Sequence, residues 1–491
     1  MDFARTYHRA KVAVDRSLLG ESLRAKVARG GAWVGGASIA EQASRFARNM
    51  ILTRLLAPSA FGAMAIVMSS SAIVGTLIDV GQKAAVVQNP KGAEKAYLNA
   101  AWWLGMGRAL STYLVIFAIA PWVSRFYGNA ELSALLRVGL LSTLLEGAMS
   151  PRSILPQKEM KFGRWAVISN GGAICGVVFT VILSFVFRNV WALAIGFCSE
   201  NAIRCLLSYI LCPGLPSLGL DRQAARDLLK FSKGIFGLSF MTLIFTRTDI
   251  FVLGKLYSPT VLGLYTMAVF LVQTPSTFIT NALGQTLLPT FSHVQEDRER
   301  INRILLEVTS WLIMLGLPVV VMIWLCGPSL LRILYGVRYV AVAGPLAVAS
   351  AVVFVTILNA VITCTLVGMG RPALHRLAVA ACAVVMMIAT YPFCKLLGPV
   401  GGQVAALAAI VISYLIQVIC MRRLTGLNVR RYGRAFVPAL LASLGLLGVG
   451  IGARFFGLAT RPLADIALGA GACVVAYALC LPAYLRIKEA A

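Results

Sequence analysis

Long runs of apolar residues recur along this chain, and they constrain its fold more than any other feature. A helix needs about 20 apolar residues to cross a bilayer, and a window of that length finds about fourteen candidate spans. Hydrophobic residues make up 59% of the 491 residues and charged residues only 13%. The runs are too long for barrel strands, which need about 9–11 residues. The sequence therefore predicts an all-α polytopic membrane protein with about 14 transmembrane helices.

The polar segments between these runs are short, which limits the possible classes of function. None is long enough to hold a separate ATPase or glycosyltransferase domain. The net charge of +26 would indicate nucleic-acid binding in a soluble protein. Here Lys and Arg concentrate in alternate loops, as they do in the cytoplasmic loops of membrane proteins. We therefore expect no nucleic-acid partner, and we expect both termini in the cytoplasm.

The N-terminal segment differs from the rest of the chain in being polar and basic. Residues 1–29 are too polar for a signal peptide, and the first apolar run after them carries charges. Residues 18–29, LLGESLRAKVAR, have the composition of a basic amphipathic helix that lies on an anionic membrane surface. The sequence predicts that residues 1–29 are cytoplasmic and contact membrane lipids.

The cysteine and histidine pattern does not indicate a metal centre. Cys198, Cys205 and Cys212 recur every seven residues on one predicted helix face. Neighbours in such a row lie two helical turns apart, about 10 Å, which is too far to share one metal ion. The three histidines are far apart in the chain. We expect no metal site and no cofactor.

Two similar stretches suggest that the chain contains two related halves. Residues 54–62 read RLLAPSAFG and residues 255–263 read KLYSPTVLG, so a basic residue, a proline and a glycine recur at one spacing. Each stretch leads into an apolar run that ends in a Gly-Gln step, at 81–82 and at 284–285. A common turn after a helix is the alternative explanation. The shared flanking features favour an internal repeat.

The repeat divides the rest of the chain into four predicted segments. Residues 30–212 form an N-lobe of helices 1–6, and residues 233–424 form a C-lobe of helices 7–12, which is a parallel repeat of the first. A cytoplasmic linker at 213–232 joins them, with Asp221 as the expected N-cap of a short surface helix. Residues 425–491 hold helices 13 and 14 and a cytoplasmic tail, and have no counterpart in the N-lobe.

Helix 1 carries a polar stripe inside its apolar run. Glu41, Arg45 and Arg48 fall within about 60° of one another on a helix, and Asn49 widens the stripe. A charge at mid-bilayer costs at least about 2.5–3.5 kcal/mol, so the stripe must face a hydrated cavity or a partner helix. Two guanidiniums on one face suit a diphosphate, which arginine binds bidentately. The alternative is that Glu41 only pairs with Arg45.

Helix 7 carries a second pair of charges, in the stretch FTRTDIFVLGK. Arg247 and Asp249 are about 200° apart on a helix and cannot both point the same way. By analogy with helix 1, we expect Arg247 to line the cavity and Asp249 to have a basic partner. The opposite assignment stays open.

The acidic residues in the spans are candidates for structural pairing or for ion coupling. Glu200 and Arg204 on helix 6 are spaced i, i+4 and are expected to form a structural ion pair. Glu41 and Asp249 are candidates for binding a coupling proton or cation. Asp79 is a further candidate, but an acid near the end of a span is more often simply hydrated.

Three stretches resemble the oligosaccharide flippases, the polysaccharide-transporter (Wzx-type) branch of the superfamily that also holds the peptidoglycan lipid flippase and the MATE drug exporters. They are TRLLAPSAFGAMAIV, TDIFVLGKLYSPTVLGLYTMA and LPTFSHVQEDRERINR, and the resemblance covers roughly residues 27–425. It implies two six-helix bundles around a central cavity with alternating access. It also implies a polyprenyl-diphosphate-linked oligosaccharide as substrate, moved to the outer leaflet of a bacterial inner membrane.

The leading hypothesis is therefore a flippase rather than an enzyme, with Arg45, Arg48, Arg247 and Asn49 as substrate-binding residues. Such a chain would be a monomer that serves a polysaccharide polymerase and glycosyltransferases. A cation-coupled drug or metabolite antiporter of the same fold is one alternative, although it would favour an acidic cavity. A membrane polysaccharide polymerase or ligase is another, although it would need a large external loop, and the predicted loops are short.

Overall fold

The computed structural model describes residues 36, 38–78, 86, 89–159, 162–217, 219, 221–232, 236–455 and 462–489. Helices and short 3₁₀ or π segments dominate these ranges, and none of the residues in them forms a β-strand. The predicted N-terminal amphipathic segment, Asp79 and the Gly-Gln step at 81–82 lie outside the described residues. The chain is an all-α polytopic membrane protein.

The first part of the chain contributes nine helices to the described residues. They are α1 (38–55), α2 (Pro58–Leu77), α3 (Lys95–Tyr127), α4 (Glu131–Gly139), α5 (Leu141–Gly147), α6 (Leu155–Lys158), α7 (Phe162–Ala166), α8 (Gly172–Phe187) and α9 (Val190–Leu211). Short 3₁₀ turns at Pro90–Ala93 and Pro151–Ile154 precede α3 and α6, and a π segment, Val167–Gly171, joins α7 to α8.

The rest of the chain contributes ten more helices to the described residues. They are α10 (Arg222–Ser232), α11 (Phe236–Leu256), α12 (Pro259–His293), α13 (Arg298–Leu334), α14 (Ala343–Gly368), α15 (Pro372–Leu397), α16 (Val400–Thr425), α17 (Val429–Arg434), α18 (Phe436–Phe455) and α19 (Pro462–Glu489). A 3₁₀ segment, Val337–Val342, precedes α14. The linker helix α10 starts at the predicted cap, because Asp221 Oδ1 accepts hydrogen bonds from the backbone N–H groups of Gln223 and Ala224.

The described residues contain fewer helices able to span a membrane than the predicted total of 14. Among the described residues, 11 helices are long and apolar enough, or 12 if the pair Glu131–Gly147 and Pro151–Lys158, bent by 75°, is one span. The predicted count of 14 is therefore not confirmed. Helix α1 is too charged to qualify, since Glu41, Arg45 and Arg48 lie within it. The part of α19 that is described with its side chains, Pro462–Ala478, is shorter than a full span.

The repeated stretches meet each other in the structure. Pro58 and Pro259 each occupy the first turn of their helix, α2 and α12, where proline's missing N–H costs nothing. One turn later, Gly62 faces the carbonyl oxygen of Pro259, and Gly263 faces that of Pro58. A methyl group on either glycine would overlap that oxygen. The two backbones can therefore touch only because both residues are glycine.

Small residues also bring α8 and α9 together. Gly172 lies against Arg204, Gly176 against Glu200, and Gly196 of α9 against Thr180 of α8. This spacing of small residues allows close packing of helices in a bilayer, where no hydrophobic effect drives them together. The close packing places Glu200, of which 2% is exposed, deep inside the bundle.

Four charged side chains join α1 to α9. Arg45 Nη2 lies 2.6 Å from Glu200 Oε1, and Arg45 Nε lies 3.0 Å from Glu41 Oε1. Arg204 Nη2 lies 3.0 Å from Glu200 Oε1 and 3.6 Å from Glu41 Oε1. Two acids and two bases thus form one charge cluster with no net charge. Such a cluster tolerates burial because every ion keeps an opposite partner.

The last two long helices pack on α13 and on each other. Asp465, at the start of α19, accepts a hydrogen bond from Ser329 Oγ of α13 at 2.7 Å. Arg454, near the end of α18, lies 3.4 Å from Asp465 Oδ2 and donates to the carbonyl oxygen of Leu325. These contacts attach α18 and α19 to one helix of the second predicted lobe.

We expect Gly62→Ala and Gly263→Ala to destabilise the protein, because a methyl group at either site forces α2 and α12 apart. Overpacking of this kind costs about 1–3 kcal/mol. Thermal unfolding of the detergent-solubilised protein, followed by size-exclusion chromatography, measures the effect. Gly75→Ala in α2 and Gly284→Ala in α12 are matched controls, since no atom lies within 4 Å of an added methyl group there. Equal melting temperatures in all four variants would contradict the proposed backbone contact.

We expect Glu200→Gln to be strongly destabilising, because it leaves Arg45 and Arg204 to share Glu41 alone. Breaking a buried ion pair typically costs about 3–5 kcal/mol. The double variant Glu200→Gln with Arg204→Gln restores charge balance, so it should be more stable than the single variant. Melting temperatures of both variants and of Arg204→Gln complete the double-mutant cycle. A double variant less stable than Glu200→Gln would show that charge balance is not what matters.

Candidate functional site

A cavity of about 380 Å³ lies between helices of the two predicted lobes. Residues of α1, α2, α8 and α9 line it from the first part of the chain, and residues of α11, α12, α14, α15 and α16 line it from the second. Helix α1 lies at the boundary between the two predicted lobes. Its Arg45 reaches α9, whereas Phe46 and Met50 pack against the apolar cluster that contains Leu271 and Tyr335. The charged and the apolar face of α1 therefore contact different halves of the chain.

Arg48 and Arg247 bring positive charge to this cavity from α1 and α11. Within the described part of the chain, neither guanidinium forms an ion pair with a carboxylate. Arg48 Nε donates a long hydrogen bond, 3.4 Å, to Asn49 Oδ1, and Asn49 also lines the cavity. These two guanidiniums have donors left for a ligand, and each can hold a phosphate in a bidentate manner.

Arg45 lines the same cavity but differs from the other two arginines. Its guanidinium contacts Glu41 and Glu200, so its charge is compensated within the charge cluster. The alternative weighed from the sequence, a pair between Glu41 and Arg45, is therefore present, and Glu200 and Arg204 extend it. The sequence could not reveal this link because Glu200 is separated from Arg45 by 155 positions.

Asp249 does not have the basic partner that the sequence suggested. Its Oδ2 accepts a hydrogen bond from Tyr265 Oη at 2.6 Å, and its Oδ1 accepts one from the backbone N–H of Ile250 at 2.9 Å. Gln403 Nε2 donates to the same Tyr265 hydroxyl at 2.6 Å. Among the described residues, no Lys or Arg nitrogen lies within ion-pair distance of this carboxylate. Neutral donors replace the expected cation because the side chain that α12 places beside this carboxylate is Tyr265, not a basic residue.

Tyr265 and Gln403 are the site residues that sequence reasoning missed. Both line the cavity, both are buried, and Tyr265 stands in a stretch already noted for its similarity to a family. Gly402 allows α16 to come close enough, since an added methyl group would lie 3.0 Å from Tyr265 Oη. No spacing along the chain connects Gln403 to Asp249, so only the packing of three helices reveals the network.

Asp249 and Arg247 both contribute to the cavity wall, contrary to the expectation that they face apart.

Apolar and aromatic side chains form most of the remaining wall of the cavity, together with Thr180, Thr246, Thr266 and Gln273. Four phenylalanines and four methionines contribute to it: Phe61, Phe197, Phe245, Phe270, Met64, Met68, Met267 and Met386. Rings and flexible thioethers can cover the apolar faces of a large ligand. No group of three or more metal-ligating side chains occurs among the described residues. The cavity is thus suited to an amphipathic anion.

Comparison with known proteins identifies the family of the chain. Residues 51–344 match the family described as polysaccharide biosynthesis protein. The succinoglycan biosynthesis transport protein ExoT of Rhizobium meliloti is 25% identical over 296 residues, which is 60% of each chain. The lipopolysaccharide biosynthesis protein WzxC of Escherichia coli is 20% identical over 320 residues, which is 65% of each chain. The matched part thus spans less than two thirds of the length of these relatives.

Solved structures show the fold. The lipid II flippase MurJ, in an inward closed conformation, superposes with a TM-score of 0.73 at 11% identity and covers 90% of this chain and 97% of its own. A MATE family multidrug resistance transporter in an inward-facing conformation gives a TM-score of 0.56 at 14% identity and covers 78% and 95%. Both have two lobes of helices. The chain has this two-lobed fold and belongs to the polysaccharide biosynthesis protein family.

Proposed function

We propose that this protein is a flippase that moves polyprenyl-diphosphate-linked oligosaccharide repeat units from the cytoplasmic to the outer leaflet of a bacterial inner membrane. The observation that carries the proposal is the pair Arg48 and Arg247, two guanidiniums without a carboxylate partner among the described residues, in one cavity between the lobes. A charge inside a bilayer is costly unless it is hydrated or paired. A diphosphate supplies that pairing.

The proposed mechanism assigns separate roles to the parts of the cavity. Arg48 and Arg247 bind the diphosphate, and Asn49 orients Arg48 through its side-chain oxygen. Arg45 lines the same cavity, but its hydrogen bonds go to Glu41 and Glu200, so it holds α1 against α9 rather than binding the diphosphate. The sugars occupy the space beside the phenylalanine rings, and the polyprenyl chain stays in the lipid. Movement of the lobes then exposes the bound headgroup to the other side.

The arrangement in the membrane completes the proposal. We infer from the distribution of Lys and Arg that both termini lie in the cytoplasm. The lobes comprise residues 30–212 and 233–424, joined by the linker at 213–232, and residues 425–491 are an appendage. We infer that the protein acts as a monomer, because one chain supplies both walls of the cavity. A polysaccharide polymerase and glycosyltransferases would be its functional partners.

The charge of the cavity separates this function from its nearest rival. The MATE transporters share the fold, and an exporter of cationic drugs would need an acidic cavity. Apart from Arg45, whose charge is compensated, the wall carries two arginines and one aspartate, and the aspartate is hydrogen-bonded to Tyr265. The positive excess favours an anionic substrate. The similarity to transport proteins likewise favours a transporter over a polymerase or a ligase.

We infer that Asp249 is the strongest candidate for binding a coupling ion. Glu41 is already shared by two arginines in the charge cluster, whereas the carboxylate of Asp249 meets only neutral donors in the described structure. A proton or a small cation could therefore neutralise Asp249 without breaking an ion pair. Tyr265 and Gln403 would respond to that binding, because they share its hydrogen-bond network.

We expect Arg48→Glu and Arg247→Glu to abolish transport, since each places a negative charge where the diphosphate binds. Arg48→Ala and Arg247→Ala should each reduce transport tenfold to a hundredfold, roughly the loss of one hydrogen-bonded charge contact. The transport rate of Arg48→Lys should lie between those of the parent protein and Arg48→Ala, because lysine keeps the charge but loses the bidentate fork. Translocation of a fluorescent polyprenyl-diphosphate oligosaccharide in proteoliposomes measures the effect.

Arg430→Glu is the matched control for these charge reversals, because Arg430 lies exposed on α17 and away from the cavity. It should transport at the normal rate. Arg45 is a poor test position, since its replacement also disrupts the charge cluster. Normal transport by both Arg48→Glu and Arg247→Glu would disprove the proposed diphosphate site.

We expect Asp249→Asn to remove the response of transport to an imposed proton or sodium gradient, because the amide has a similar shape but cannot bind a cation by charge. Binding of the lipid-linked substrate should persist, since Arg48 and Arg247 remain. Transport rates in proteoliposomes with each gradient in turn distinguish the two ions. A variant that still responds to a gradient as the parent protein does would exclude Asp249 as the coupling site.

A further inference from the structure

We propose that Arg54 and Lys255 form a pair of latches that hold the outer side of the two-lobed transporter closed. The two residues occupy corresponding positions in the repeated stretches RLLAPSAFG and KLYSPTVLG. Arg54 lies at the end of α1 and Lys255 at the end of α11. Earlier turns of these helices line the cavity, with Arg48 on α1 and Arg247 on α11. The latches concern access to the cavity, so they do not depend on which cargo the proposed transport function moves.

Each latch is a hydrogen bond from one predicted lobe to the other. Arg54 Nη2, on α1, donates to the carbonyl oxygen of Ile333 in the last turn of α13 at 2.8 Å. Lys255 Nζ, on α11, donates to the carbonyl oxygen of Phe126 in the last turn of α3 at 2.6 Å. Lys255 Nζ also lies 4.4 Å from the centroid of the Phe126 ring. The two hydrogen bonds therefore join corresponding helices of the two predicted repeats.

The chemistry of the acceptors suits a latch that can open. The carbonyl groups in the last turn of a helix lack partners within the helix and carry partial negative charge, so they attract cations. Both hydrogen bonds are exposed in the described structure. Water can replace the carbonyl oxygen as a partner when the lobes separate, so neither cation is left buried and unpaired. A buried ion pair would open far less easily.

The contacts around the latches close the same end of the cavity. Gly62 and Gly263 bring the starts of α2 and α12 into backbone contact in this layer, four residues beyond the prolines that follow the latch helices. Helices α1, α3, α11 and α13 all end here, at the face that the distribution of Lys and Arg places outside. Opening to the outside therefore requires both latch bonds to break.

Two buried hydroxyl groups support the existence of an open state. Tyr335 directly follows α13, Tyr339 lies in the 3₁₀ segment after it, and their ring centroids are 5.4 Å apart. They are 1% and 0% exposed. Within the described residues their hydroxyl oxygens have no hydrogen-bond partner. An unsatisfied buried hydroxyl costs free energy, and Phe46 and Met50 of α1 belong to the cluster that covers these rings. Separation of α1 from α13 would let water reach both hydroxyls and would offset part of the loss of the latch.

The test is the access of an impermeant reagent to the cavity. Met64, which lines the cavity on α2, is replaced by Cys, and intact cells are treated with a membrane-impermeant maleimide. The same variants with Met64 retained measure the background labelling of the native cysteines. We expect the double variant Arg54→Ala with Lys255→Ala to be labelled from outside about tenfold faster than the parent, because two exposed charge-assisted bonds are lost and water replaces each of them in part. Each single variant should give a smaller increase.

Three controls make the result specific. Arg54→Lys and Lys255→Arg keep a cation at each latch and should label as the parent does. Arg125→Ala removes an exposed cation from the same end of α3 and should have no effect. Labelling is normalised to the amount of protein that elutes as a folded monomer. An unchanged outside labelling rate in the folded double variant, or an increase seen only in inside-out vesicles, would overturn the proposal. Failure of the flippase assay alone would leave the labelling result unaffected.

Discussion

The cost of a charge inside a bilayer governs this structure, because each ion must find an opposite charge, polar donors or water. The chain meets this requirement in three ways on neighbouring helices. Glu41, Arg45, Glu200 and Arg204 neutralise one another in a closed cluster. Asp249 is held by neutral donors. Arg48 and Arg247 face a cavity instead, and that difference separates the residues that hold the helices together from those proposed to bind substrate.

Backbone proximity is the second physical basis of the architecture. Helices in lipid gain little from burying apolar side chains against each other, so glycine and other small residues determine how closely they approach. The contacts of Gly62 with Pro259 and of Gly263 with Pro58 join equivalent points of the two repeats. Because these contacts involve backbone atoms on both sides, they set how closely the lobes approach at one end of the cavity in this closed arrangement. Side chains further along α2 and α12 then line the cavity.

Much of the fold followed from the pattern of residues, and some of it did not. Runs of about 20 apolar residues predict membrane helices because a helix must satisfy its own hydrogen bonds across the bilayer. The repeat predicted two related lobes because a proline and a glycine recur at one spacing after a basic residue. The number of spans was less certain, since α1 carries four charged residues and the helix around residues 131–158 is bent by 75° at a break near Pro151.

The sequence by itself determined the membrane class, the repeat and the presence of polar faces on helices 1, 6 and 7, because these depend on hydropathy and on the period of a helix. Only the tertiary structure decided which charges are compensated. Glu200 reaches Arg45 across 155 positions, and Gln403 reaches Tyr265 across 138. Spacing along one helix cannot predict such contacts, because they depend on how closely small residues allow separate helices to approach. For the same reason Arg45 and Arg48, which lie on one face of the same helix, have different surroundings. Arg45 pairs with carboxylates, whereas Arg48 faces the cavity.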